Sequence, residues 1–138
     1  MRKSTALAVN QEPQSLELVN TIINSCADAK GRDITVLDVS KIFGMADFFV
    51  VVSGRSDRQV QGIANRVLEG LGKDHSRTAS VEGLDTGHWV LIDCGEVVVH
   101  VFYEPVRAHY DIESLWGSAR RLGIKTRKST GGAELRAC

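Results

Sequence analysis

A chain of 138 residues is about one domain long, which excludes a multi-domain enzyme, and its 43% hydrophobic and 25% charged residues are an ordinary globular balance able to bury a core. Seventeen basic side chains match seventeen acidic ones, so the molecule as a whole lacks the positive field that nonspecific DNA or RNA binding needs. The charge is uneven along the chain: from Gly117 onward six basic residues face one acid, a balance of +5 that leaves residues 1–116 at −5. An acidic body suits a basic protein partner, through complementary potentials, better than it suits a phosphate backbone.

Cys26, Cys94 and Cys138 are odd in number and lack C-x-x-C spacing, which argues against a disulfide framework or a zinc site and fits a reducing compartment. No apolar run approaches the ~18 residues of a membrane span, and the start MRKSTALAVN lacks the apolar stretch of a secretory signal. The expectation is a cytoplasmic protein with no membrane contact, opening on a flexible extension over residues 1–15.

The first element is an amphipathic helix over Leu16 to Ala29, with Leu16, Val19, Ile22, Ile23 and Cys26 in steps of three and four and Ser15 placed as its cap. Ile34 to Val39 reads as a β-branched strand. Phe48 to Val52 is a continuous apolar run, the mark of a strand buried on both faces. Ser56 to Gly72 carries the clearest helical signature: Ser56 and Gln59 form a capping box, Val60, Ile63, Ala64, Val67, Leu68 and Leu71 form a stripe, and Gly72 ends it.

An edge strand is expected near Ala79 to Glu82. Two stronger strands follow, Trp89 to Asp93 and Val97 to Tyr103, and the tight turn Cys94-Gly95-Glu96 makes them an antiparallel hairpin. Pro105 suits the first turn of a short helix, and Asp111 is placed to cap a final turn carrying Leu115 and Trp116. Beyond Ser118 no periodicity supports folded structure, so residues 117–138 read as a basic, disordered tail. This order of elements predicts an α/β (α+β) domain over residues 16–116, with a mixed sheet of about five strands and flanking helices.

Few residues invite chemistry. The turn Ser53-Gly54-Arg55-Ser56 leads a buried strand into a helix N-terminus, but it has neither G-x-G-x-x-G nor a P-loop lysine, and a structural cap explains it. Asp47, Asp93 and the other acids lack the spacing of a carboxylate pair on one strand, and His75, His88, His100 and His109 lack metal-ligand spacing. Cys94 with His88 or His100 would need to adjoin as nucleophile and base; His100, flanked by Val99 and Val101, reads better as a hydrogen-bonded structural histidine. No catalytic residue, metal or cofactor is expected. What stands out is a polar and aromatic cluster: Trp89 and Asp93 share one face of a strand, with His100 in the next strand and Tyr110 and Trp116 in the closing helix. An aspartate rarely faces an apolar core, so Trp89 is expected to be exposed beside Asp93.

The run EGLDTGHWVLIDCGEVVVHVFYEPVRAHYDIESLW, preceded by DFFVVVSGRSDRQV, closely resembles the ribosomal silencing factor family, also called the Iojap family. The resemblance covers about Leu16 to Trp116. Its pattern lands on Asp47, Phe48, Gly54, Ser56, Trp89, Asp93, Gly95, His100, Arg107, Tyr110, Glu113, Leu115 and Trp116; Arg55, Cys94 and Ile112 are mild departures. The resemblance implies a mixed sheet similar to the nucleotidyltransferase fold, without that fold's catalytic carboxylates. It also implies a factor that binds the large ribosomal subunit through large-subunit ribosomal protein fourteen, obstructs joining of the small subunit and holds back translation when nutrients are scarce, as in stationary phase.

On that footing Trp89, Asp93, Tyr110 and Trp116 are the expected partner-binding residues. The runner-up is a nucleotidyltransferase-like enzyme using Asp47 and Asp93 with a metal ion, and a homodimer pairing through a strand edge or the aromatic cluster is a third reading. The tail inherits nothing from the family; contact with ribosomal RNA and plain disorder both stay open for it.

Overall fold

A computed structural model describes residues 13–42, 44, 46–75, 79–117, 119–126 and 133–136. The expected extension over residues 1–15 falls largely outside them. Helix α1 spans Pro13–Asp28. Ser15 therefore lies inside the helix rather than capping it, and Pro13 takes the first turn, where a missing N–H removes no helical hydrogen bond. Strands β1 (Arg32–Asp38) and β2 (Phe48–Gly54) lead into helix α2 (Asp57–His75). The forward half of the capping box forms, the Gln59 amide donating to Ser56 Oγ at 3.0 Å, while Gln59 Oε1 reaches back one residue further than expected and accepts from the Arg55 amide at 2.6 Å. Gln59 Nε2 also donates to the Lys30 carbonyl at 3.0 Å, tying the start of α2 to the loop after α1. With the Gln59 amide engaged by Ser56 and the Gln59 side chain filling the turn, this helix start is structural.

Strands β3 (Ser80–Glu82), β4 (Trp89–Asp93) and β5 (Val97–Tyr103) follow, then the short helices α3 (Glu104–Tyr110) and α4 (Ile112–Leu115). Strands β4 and β5 form the expected hairpin, with Leu91 opposite His100. At its turn Gly95 takes φ 93°, and Asp93 Oδ1 accepts the Gly95 amide at 2.9 Å. Gly83, at φ 85°, must also lack a side chain, since a Cβ there would run into the Trp89 carbonyl oxygen.

The reading of residues 117–138 as a disordered tail does not hold for the described part. Arg120–Thr126 forms strand β6 and Ala133–Arg136 strand β7, and β6 pairs antiparallel with β1. The sheet accordingly has seven strands among the described residues, in the order β3-β4-β5-β2-β1-β6-β7, rather than about five. The open edge of β1 supplies backbone partners to a segment whose own apolar content is slight. Leu122, directly opposite Val36, is buried and Ile124 packs beside it. The domain boundary at residue 116 therefore falls short of the folded chain.

Only β2 and β5 run parallel; every other neighbouring pair is antiparallel. All seven residues of β2 are buried, which its continuous apolar run predicts for a strand covered on both faces. On one face α1 and α2 press Val19, Ile22, Ile63 and Val67 onto Val50, Val52, Val99 and Val101. On the other, the α3–α4 segment sets Val106, Ile112 and Trp116 over Val51 and Phe102.

Candidate functional site

Strand alternation decides what the second face displays. Along β4, Val90 and Ile92 are buried under the helices, while Trp89 and Leu91 are half-buried and Asp93 is exposed on the opposite side. Trp89 and Asp93 thus share a face as expected, although Trp89 is half-buried rather than exposed, because its ring stacks on Phe102 at 4.9 Å. Tyr110, 55% exposed at the end of α3, lies 5.1 Å from the Trp89 ring. Trp116 closes α4 and meets Phe49 edge-on at 5.3 Å. Tyr110 and Trp116 therefore come from two successive short helices, not one closing helix.

Asp111 joins those helices in a left-handed conformation, φ 47°, and does not cap α4 with its side chain. Its Oδ2 accepts the Ser114 hydroxyl at 2.6 Å instead. The segment is held down by Arg107. That guanidinium donates to both Glu113 carboxylate oxygens at 3.1 and 2.8 Å, to Ser53 Oγ at 2.8 Å, to Thr35 Oγ1 at 3.2 Å and to the Asp33 carbonyl at 2.8 Å. One side chain thereby fastens α3 and α4 to β1 and β2 through a planar fork that a lysine cannot reproduce. The Arg107 guanidinium holds the Glu113 carboxyl below its usual range.

His100 joins the aromatic residues. It is 4% exposed, meets Phe49 at 5.0 Å and accepts the Trp89 indole N–H at Nδ1 over 3.3 Å, so the expectation of a hydrogen-bonded histidine holds for one of its nitrogens. The other, Nε2, is buried without a hydrogen-bond partner. Burial pushes its pKa down to about 4, so the ring is neutral at pH 7.

Phe49, Leu91, Val98, Leu115 and Trp116 wall a groove of about 360 Å³ beside these rings, with Asp93 and His100 also lining it. Leu115 is 75% exposed at its side. Sequence reasoning brought together Trp89, Asp93, Tyr110 and Trp116 but missed Phe49, Leu91 and Val98 as groove walls. Leu91 alternates with the buried Val90 and Ile92 along β4, which was an available signal, whereas β2 and β5 are continuous buried runs that give none for Phe49 and Val98.

The geometry gives little support to phosphoryl transfer. Asp47 precedes β2 and Asp93 ends β4, two strands away across β5, and the register sets Asp93 level with Phe49 rather than with Asp47. Among the described residues no three His, Cys, Asp or Glu side chains gather in a group that could hold a metal ion. Nor is any described helix long and apolar enough to cross a membrane.

The family model described as ribosomal silencing factor during starvation matches residues 12–136. A ribosomal silencing factor of Bacillus subtilis is 41% identical over 95 residues, covering 69% of this chain and 80% of that one. The chloroplastic Iojap protein of Arabidopsis thaliana is 28% identical, covering 88% of this chain and 51% of its own. A crystal structure of a protein from Chromobacterium violaceum superposes with a TM-score of 0.72 at 42% identity, covering 78% of this chain and 88% of that chain. The matched span runs through β6 and β7 as well as the aromatic face, and by it the chain belongs to the ribosomal silencing factor family.

Proposed function

We propose that this chain represses translation by occupancy: it binds the free large ribosomal subunit through large-subunit ribosomal protein fourteen and blocks the small subunit from joining. The observation that carries this reading is the half-open face on which Trp89, Asp93, Tyr110 and Trp116 lie together on a rigid sheet, in a chain of this family. Tryptophan and tyrosine anchor interfaces because they bury much area at small entropic cost while keeping a polar tip. No covalent chemistry is needed. The fraction of subunits blocked follows the factor's concentration relative to its Kd, and about 1 μM affinity corresponds to roughly −8 kcal/mol.

The partner is a basic protein. The −5 of residues 1–116 favours such a surface, although Arg120 and Arg121 return two positive charges to the body through pairs with Asp38 and Glu113. Binding should weaken as salt rises. The purified cytoplasmic chain should co-sediment with isolated large subunits and, at saturating amounts, keep them from joining small subunits. Trp89→Ala should lower the affinity about thirtyfold, or about 2 kcal/mol, while circular dichroism stays folded. A chain that ignores large subunits, or lets them join freely when saturated, overturns the reading. Pairing of two copies through the same face would compete with the ribosome, and light scattering over a range of concentrations detects it.

A further inference from the structure

His100 has a donor with nothing to receive it. The Trp89 indole nitrogen can only donate, so His100 Nδ1 must present a lone pair to it, and the neutral ring then carries its proton on Nε2. That N–H is buried without an acceptor, a desolvation cost that a binding partner can recover. The same ring lines the groove whose apolar walls include Leu91, Val98 and Leu115. At the groove's end Asp93 is exposed; one oxygen accepts the Gly95 amide, and among the described residues the carboxylate forms no ion pair.

We infer that this groove seats an apolar side chain from a basic protein surface, whose backbone or side-chain oxygen accepts the His100 Nε2–H and whose neighbouring Lys or Arg faces Asp93. The inference rests on the ribosome-binding reading and specifies the chemistry of what docks there. Charge decides the class of occupant: a phosphate or other anion entering beside Asp93 is repelled, while a cation on the same surface as the apolar anchor is attracted. Nε2 is covered in the free chain, so the acceptor enters only when a wall side chain turns aside. Leu115, three-quarters exposed on a four-residue helix, lines the same groove and lies where an apolar side chain would first make contact.

The test is titration of purified bacterial large ribosomal subunits with the wild-type chain and with Leu115→Glu, Asp93→Asn, His100→Phe and Trp89→Ala, each variant first melted to measure its stability. Leu115→Glu changes an exposed position, so it should leave the melt unchanged and weaken binding about tenfold or more. Asp93→Asn keeps an acceptor for the Gly95 amide but removes the charge; it should weaken binding several-fold and flatten the dependence on salt. His100→Phe removes both the unpaired Nε2–H and the Nδ1 acceptor of the Trp89 indole, so it is read beside an added Trp89→Phe, which breaks that indole bond and keeps His100. His100→Phe should bind more weakly than Trp89→Phe, and equal affinities would overturn the role given to Nε2. Should Leu115→Glu and Asp93→Asn bind like wild type while Trp89→Ala is impaired, the groove is unused in the complex and this inference fails with the ribosome reading intact. A wild-type chain that does not bind large subunits overturns both.

Discussion

The two faces of the sheet are built from the same strands and have opposite characters. Under α1 and α2 the contacts are aliphatic and closed, with Val50, Val52, Val99, Val101, Ile22 and Ile63 fully buried. On the reverse, Phe49, His100 and Phe102 alternate with those valines and meet Trp89, Tyr110 and Trp116 under two short helices that cover only part of them. A period of two lets one run such as Val99-His100-Val101-Phe102 pack aliphatic side chains under α1 and α2 and set ring side chains, themselves buried, beneath the half-open layer of Trp89, Tyr110 and Trp116. Both faces of the central strands are buried, and recognition is left to the residues that cover the reverse one.

The sharpest way to break that division is on the closed face. Ile63→Ala opens a cavity between α2 and the sheet and should cost about 2–5 kcal/mol, read from denaturant unfolding, with binding unchanged in the fraction that stays folded. Loss of ribosome affinity beyond the loss of folded protein would show that the faces are not separable. Next in size is Arg107→Ala, which frees the α3–α4 segment from β1 and β2. It leaves Glu113 without its main partner and should cost roughly 2–3 kcal/mol, less than a fully buried pair because both side chains retain some solvent contact.

Arg107→Ala should weaken large-subunit binding as well, since Tyr110, Leu115 and Trp116 ride on that segment. Acid sharpens the assignment. The Glu113 carboxyl is held below its usual value of 4.5, so the pair's contribution is present above that pH and fades as the pH falls through the lower folded-state value. The stability gap between wild type and Arg107→Ala should narrow in the same range.

The closed face was largely legible in the chain. The unbroken run Phe48 to Val52, the Ser56–Gln59 capping box and the stripe from Val60 to Leu71 are local signals, and local hydrogen bonds and burial satisfy them. The open face was legible in part: four apart in a strand placed Trp89 and Asp93 together, but no local rule shows that Arg107 reaches across to Asp33 and Thr35 or that His100 is left with an unpaired nitrogen. Strand β6 was missed because the edge of β1, more than eighty residues earlier, makes it a strand. Its own signal is one alternating pair, Leu122 and Ile124, among basic residues.

His100 offers a further test of the open face because its titration falls in its own window. Its folded pKa of about 4 lies below the unfolded 6.5, so the unfolded chain takes up the proton first. Stability should decline as the pH drops from 6.5 towards 4, most of it above 4.5 where the Glu113 effect begins, and His100→Phe should remove that part of the decline. A wild-type stability curve flat over this window would mean that the ring is not buried and neutral.

The smallest effect is expected at the sheet edge that the tail builds. Arg120 reaches Asp38 at 3.5 Å and Arg121 reaches Glu113 at 3.8 Å, both from largely exposed positions where water screens the pair. Arg120→Ala should change stability by no more than about 0.5 kcal/mol. Leu122→Ala, on the same strand but facing the helices, should cost about 2 kcal/mol or more, because it takes a buried side chain from beside Val36. If the two substitutions instead cost the same, β6 is held by its charges rather than by its one buried leucine, and the division between a closed apolar face and an open polar one does not extend to the tail.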